Sequence, residues 1–188
     1  RLDRTGAGVT GSFSGVFDGM GYGIQNLYIK RTENYDDGYI GLFEGIGKGG
    51  SVGNVNIVEG HIEGISNFGS IAGLNWGTIY NIVNSATIES KGSGGGIVGT
   101  NGGIIRDTIN NGTLNINGTS GGTVWGNAGT IINVRNSGNV TSSSTSDSGA
   151  YGDIGGIVGR NNSNGIIIGA ENTGKIEIEK SGSSGAGG

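Results

Sequence analysis

The sequence predicts an all-β protein, a right-handed parallel β-solenoid of about six coils of about 26 residues each. Three observations carry this. One is a period. Gly129-Thr130-Ile131-Ile132-Asn133-Val134-Arg135-Asn136 repeats 26 residues earlier as Gly103-Ile104-Ile105-Arg106-Asp107-Thr108-Ile109-Asn110, and 52 residues earlier from Gly77 to Asn84, without a gap. A fixed period in this range marks a solenoid or another stacked-repeat architecture. The second is composition: 45 of 188 residues are Gly, Pro and Cys are absent, and only 32% are hydrophobic. That apolar count suffices when each coil buries a narrow inner row rather than a globular core. The third is local pattern. Each unit holds about three short Ile- and Val-rich runs separated by Gly and Asn, and no helical period runs uninterrupted over eleven residues.

Taken in order, the chain opens with residues 1–12, a polar, Gly-containing stretch able to act as a thin cap. Phe13 to Ile29 is the first, atypical coil and joins the repeat at Ile24 and Asn26. One aliphatic column then reads Ile24, Val52, Ile79, Ile105, Ile131, Ile167, with spacings of 28, 27, 26, 26 and 36. The long last step reflects insertion: residues 141–153 form a Ser-, Thr- and Gly-rich run read as an external loop. A second column is Ile71, Ile97, Thr123, Ile157, followed by Ala72, Val98, Val124, Val158. A third is Ile62, Ile88, Leu114, Val140, Ile176. Each strand is expected to pair with its equivalent one coil away, about 4.8 Å distant, so that six coils make a rod roughly 30 Å long. Right-handedness follows from the general hand of parallel crossovers. The repeat resumes on both sides of the insertion, so residues 1–188 read as one solenoid domain. No cap is legible at the C-terminus, and a chain opening on Arg1 reads as part of something longer.

Asparagine repeats as regularly as isoleucine. Asn84, Asn110, Asn136 and Asn172 share one column; Asn75, Asn101, Asn127 and Asn161 share another. Stacked amides make side-chain ladders, and Asn tolerates left-handed turns. Gly77, Gly103, Gly129 and Gly165 read as turn positions needing positive φ. The structural ladders are therefore Asn84, Asn110, Asn136 and Asn172 for the amides, and Ile79, Ile105, Ile131 and Ile167 for the core.

Chemistry is sparse by comparison. The formal net charge is −4 and the eleven Lys and Arg are scattered, which argues against a nucleic-acid stripe. No Cys means no disulfide framework and no Cys-based zinc site. No apolar run approaches the ~20 residues of a membrane-spanning helix. His61, the one histidine, falls in a polar column with Thr87, Thr113, Asn139 and Lys175. Asp18-Gly19 and Asp36-Asp37-Gly38 read as turns, because neither the Gly-rich nonapeptide nor the EF-hand spacing of calcium loops is present. Glycoside cleavage needs two carboxylates on one cleft. Glu63, Glu89 and Glu177 share an outward column interrupted by Asn115 and Thr141, and no Arg, Lys or His is seen aligned with them. Trp76 and Trp125 lie in different columns. Asn111, Asn117, Asn139 and Asn161 begin Asn-x-Ser/Thr triplets, which abundant Asn, Ser and Thr generate by chance. The expectation is no catalytic, cofactor or metal residue, and no cofactor.

Gly156-Ile157-Val158-Gly159-Arg160-Asn161, Gly96-Ile97-Val98-Gly99-Thr100-Asn101 and Ile71-Ala72-Gly73-Leu74-Asn75 resemble the GLUG repeat. Phe17 to Leu27 is similar to the segment that introduces such repeats. Thr123-Val124-Trp125-Gly126 departs from the pattern, with Trp125 in a glycine position. The resemblance implies a bacterial secreted or surface protein, often an adhesin resembling filamentous haemagglutinin. The repeat also accompanies some immunoglobulin-A-cleaving peptidases, outside their catalytic domain, but no His-Glu-x-x-His motif occurs here. The expected function is a non-enzymatic extracellular stalk or adhesin shaft. Alternatives are a filament subunit stacking end to end, and a carbohydrate-binding or polysaccharide-degrading β-helix. Expected partners are copies of the chain or flanking solenoid, and a host receptor or glycan. Nucleic acid and membrane insertion are not expected.

Overall fold

The computed structural model describes residues 12–31, 38–65, 67–144 and 153–180. The chain is a parallel β-solenoid. Its first sheet stacks six levels: Val16–Asp18 with Gly23–Ile24, then Ser51–Ile57, Thr78–Asn84, Ile104–Asn110, Thr130–Asn136 and Ile166–Asn172. The second sheet also has six: Leu27–Lys30, Gly60–Gly64, Thr87–Ser90, Leu114–Ile116, Val140–Ser144 and Ile176–Lys180. The third has five, from Phe43–Ile46 through Ala72–Asn75, Val98–Asn101 and Val124–Asn127 to Val158–Asn161. A fourth, not expected from the sequence, joins Gly94–Gly95, Ser120–Gly121 and Ile154–Gly155. Gly and Ser carry little strand preference, and these pairs are held by their place between longer strands.

Stacking sets the core. Val52, Ile79, Ile105 and Ile131 are in register and fully buried. They face Ala72, Val98 and Val124 of the third sheet within one aliphatic cluster. A second cluster lies behind the second sheet, around Ile62, Ile88, Leu114 and Val140 with Phe68. Ile167 continues the first column, paired with Ile131, but is 38% exposed because no described coil covers its far side.

The long strands do not alternate with simple period two. Ile79 and Ile82 both point inward, three residues apart. Asn81 between them has φ 49°, and the register skips it, so one left-handed residue resets the alternation. Asn54, Asp107 and Asn133 repeat this at φ 54°, 55° and 52°, and Gly169 at 65°. Short Asx side chains tolerate that conformation and Gly adopts it freely.

This corrects two expectations. The buried Asn of the ladders are not the left-handed residues, and neither are Gly77, Gly103, Gly129 and Gly165, which are absent from the positive-φ set. Gly103 is required for space instead: a Cβ there would strike the Gly77 carbonyl oxygen one coil away.

Two further corrections concern irregular coils. Phe17, not Ile24, precedes Val52 in the aliphatic column; Ile24 pairs with Ile57. Between Asp18↔Gly53 and Gly23↔Asn56 the first coil carries four residues against two, and that excursion through Met20 and Gly21, both at positive φ, shifts the register. Thr141 to Ser144, read as part of an inserted loop over 141–153, lies in the strand Val140–Ser144 and pairs with Glu177 to Lys180. The rest of that loop up to residue 152 lies outside the described residues. So do the proposed cap, save Ser12, and residues 181–188.

Thr108 breaks an otherwise aliphatic column. It stacks between Ile82 and Val134, is 1% exposed, and its hydroxyl finds no partner. A buried unpaired hydroxyl costs about 1–3 kcal/mol in mutational data. Thr108→Val is therefore expected to stabilise the chain by about 1 kcal/mol. An unchanged or lower urea midpoint would show that the hydroxyl is paired after all.

Candidate functional site

Two buried amide ladders run along the solenoid. In one, Asn84 Nδ2 donates to Asn110 Oδ1 at 2.7 Å, Asn110 to Asn136 at 2.8 Å, and Asn136 to Asn172 at 2.8 Å. In the other, Asn75 donates to Asn101, Asn101 to Asn127, and Asn127 to Asn161, at 2.7–2.8 Å. An amide N–H of Asn101, Asn110, Asn127, Asn136, Asn161 and Asn172 closes a local turn, as from Asn110 to the Gly112 carbonyl at 3.0 Å, whereas Asn75 and Asn84 accept from their own turns at Oδ1. Each side chain is thus occupied by neighbouring coils and its own turn. Asn84, Asn110 and Asn136 are fully buried, so the ladder offers no ligand surface there; Asn172, in the last described coil, is exposed.

The outside carries the remaining polar groups. On the first sheet, the left-handed residues form an outer row. Asn54 donates to Asp18 at 2.8 Å, Asn81 to Asn54 at 3.0 Å, and Asn133 to Asp107 at 3.2 Å. The Asn54 amide, with the Met20 N–H, holds the Asp18 carboxyl below its ordinary range. The Asn133 amide and then the Arg106 guanidinium do the same for Asp107. Arg106 lies over the Tyr80 ring, 4.7 Å from its centre. Asp18 is therefore engaged in a side-chain row as well as a turn, while Asp36 and Asp37 lie outside the described residues.

On the second sheet, Glu63, Glu89, Asn115, Thr141 and Glu177 stack in register. Here the sequence reading missed a partner. Lys30 aligns with Glu63 and its Nζ lies 2.7 Å from the carboxylate, which raises the lysine's affinity for its proton. Lys175 similarly reaches Glu177 at 2.8 Å. The irregular first coil hid Lys30 from a column built on the 26-residue period. His61 pairs with Thr87 and stacks on Tyr28 at 5.9 Å. A shallow groove of about 530 Å³ crosses this face from Glu63 and Glu89 past Asn115 to Thr141.

The two tryptophans stay apart. Trp76 is 47% exposed and sits over Gly102, where a Cβ would meet its ring. Trp125 is half-buried, and its indole nitrogen has no hydrogen-bond partner. Asn111 and Asn139, which begin Asn-x-Thr triplets, are exposed, whereas Asn161 is engaged in a ladder. Among the described residues, no three His, Cys, Asp or Glu side chains gather as metal ligands, and no helix is long and apolar enough to cross a membrane.

Fold and surface together define a glycine-rich parallel β-solenoid with an aliphatic and amide-laddered interior and outer faces of mixed character. The chain is similar to halomucin of Haloquadratum walsbyi, at 31% identity over 77 residues, which is 41% of this chain and 1% of halomucin. It is also similar to the "Putative Gly-rich membrane protein" of Evansella cellulosilytica, at 40% identity over 73 residues, 37% of this chain and 8% of that protein. The chain thus spans under a tenth of the length of either relative. No family model and no solved structure matches it.

Proposed function

We propose that this chain is a non-enzymatic structural segment of a bacterial extracellular or cell-surface protein, serving as a stalk or adhesin shaft. The observation that carries the reading is the pair of continuous Asn ladders beside the aliphatic columns Val52, Ile79, Ile105, Ile131 and Ile62, Ile88, Leu114, Val140. The buried amides of both ladders join one coil to the next, as the nearest-neighbour stacking of a rod requires. The resemblance of Gly96 to Asn101 and Gly156 to Asn161 to the GLUG repeat supports a surface setting. So does similarity to a protein named for the membrane and to one named halomucin, each many times longer than this chain. On this reading the partners along the axis are further coils, from flanking sequence or from other copies.

The rival reading, a polysaccharide-cleaving β-helix, rests on Glu63 and Glu89 in adjacent coils. Lys30 holds Glu63 in an ion pair, which suits a fixed carboxylate better than a proton donor. The test is turnover: the chain is incubated with soluble polysaccharides and with peptides, and products are followed by chromatography. None is expected. Cleavage that disappears in Glu63→Gln or Glu89→Gln would overturn the proposal.

A further inference from the structure

We infer that the outer face of the second sheet is a binding site for a neutral, extended, β-linked polysaccharide chain lying along the solenoid axis. This rests on the surface-exposed setting proposed above but concerns a ligand, not the shaft role. The groove crosses four coils, from Glu63 to Thr141. One wall is the in-register row Glu63, Glu89, Asn115, Thr141, repeating at the coil spacing of about 4.8 Å. Two residues further along the chain in each coil, roughly 6.6 Å away where the strand continues, Ile65, Lys91, Asn117 and Ser143 make a second row, apolar at its first position and polar at the next three. The floor between them is Ser90 and Ile116, both buried, and the Ser90 hydroxyl is already spent on the Gly64 carbonyl at 2.7 Å. What is left for a ligand is one rail of two carboxylates, an amide and a hydroxyl beside a second of Ile65, an ammonium, an amide and a hydroxyl.

A polymer that uses every rung must advance by one coil per unit. An extended peptide advances about 3.3 Å per residue and falls out of step, and a sheet face offers it no backbone edge. A pyranose linked through opposite ring carbons rises by close to one coil spacing per ring and carries hydroxyls along both edges of a flat ribbon. That matches two rails with a shared repeat. Charge selects within this class. Lys30 neutralises Glu63, and Lys91 shares the groove with Glu89, which leaves the groove near neutral but with carboxylates on one rail. A polyuronate would bring its own charges against Glu63 and Glu89. On the same face, two residues before the Lys30–Glu63 pair, Tyr28 is 65% exposed and stacked on His61. That aromatic surface suits the C–H face of a sugar ring.

The experiment is calorimetric titration of the full chain with β-1,4-linked glucose, xylose and N-acetylglucosamine oligomers of two, four and six rings, with β-1,4-linked oligomannuronate as the anionic comparison. Affinity for at least one neutral series is expected to climb from two to four rings and then level off, with oligomannuronate weaker. Asn115→Ala and Thr141→Val should each weaken binding about tenfold, the worth of one hydrogen bond, at an unchanged unfolding midpoint. Asn133→Ala, on the first sheet's outer face, should leave affinity unchanged. Three results would each sink the site: no binding of any neutral hexamer at millimolar concentration, binding indifferent to Asn115 and Thr141, or preference for oligomannuronate. Hydrolysis of a bound hexamer would instead overturn the non-enzymatic reading and leave the groove assignment standing.

Discussion

Replacing Asn110 by Ala is expected to destabilise the solenoid by at least about 3 kcal/mol. The deletion orphans three buried groups at once. Asn136 Oδ1 loses its donor, the Gly112 carbonyl loses its N–H, and Asn84 Nδ2 loses its best acceptor, keeping only the Gly96 carbonyl at 3.2 Å. Each such group costs about 1–3 kcal/mol when left unpaired in a dry interior. Asn110→Asp sharpens the test, because it keeps the shape and the acceptor but cannot donate to Asn136, and it adds a buried charge. It is expected to be at least as damaging as Ala at neutral pH. A urea midpoint for Asn110→Ala within error of the parent would show that the ladder carries no stability.

Ile105→Ala is the second large effect, at about 2–5 kcal/mol. Ile105 is fully buried and stacked between Ile79 and Ile131, so backbone pairing on both sides keeps the coil from collapsing into the cavity. Amide exchange adds a spatial readout. Protection should fall first in the flanking strands Thr78–Asn84 and Thr130–Asn136, because each coil leans on its nearest neighbours. Neutral behaviour in denaturation would mean that the column does not face the interior.

Much of this architecture is legible in the sequence because the physics is periodic. Ile79, Ile105 and Ile131 announce a shared environment by their spacing alone. The parts that resisted are those where two environments share the same period. The columns of Asn81 and Asn84 both keep the 26-residue spacing, through Asp107 and Asn133 in one and Asn110 and Asn136 in the other, yet the first is outward and left-handed and the second a buried amide. Residue type separates them only weakly: the outward column admits Asp107 and Gly169, while the ladder is Asn throughout. The clue is the three-residue gap between inward Ile79 and Ile82, which a strand of simple alternation cannot produce. Where the period itself breaks, register is lost too. Four residues facing two in the first coil moved Phe17 into the place read for Ile24, and with it hid Lys30 opposite Glu63. The fourth sheet, made of Gly and Ser beside Ile154, has no sequence signature because its strands are imposed by their neighbours.

The direction of the buried amide ladders has a consequence for how such a chain changes over generations. Every link donates from the earlier coil to the later one. Each middle coil therefore presents an acceptor backward and a donor forward, like every other. Excising residues 78–103 at the gene level would bring Asn75 up against Asn127 with donor still meeting acceptor, and duplicating them would add a rung with both ends matched. Copy number can drift through unequal recombination without any compensating substitution, so reach becomes heritable and adjustable one coil at a time.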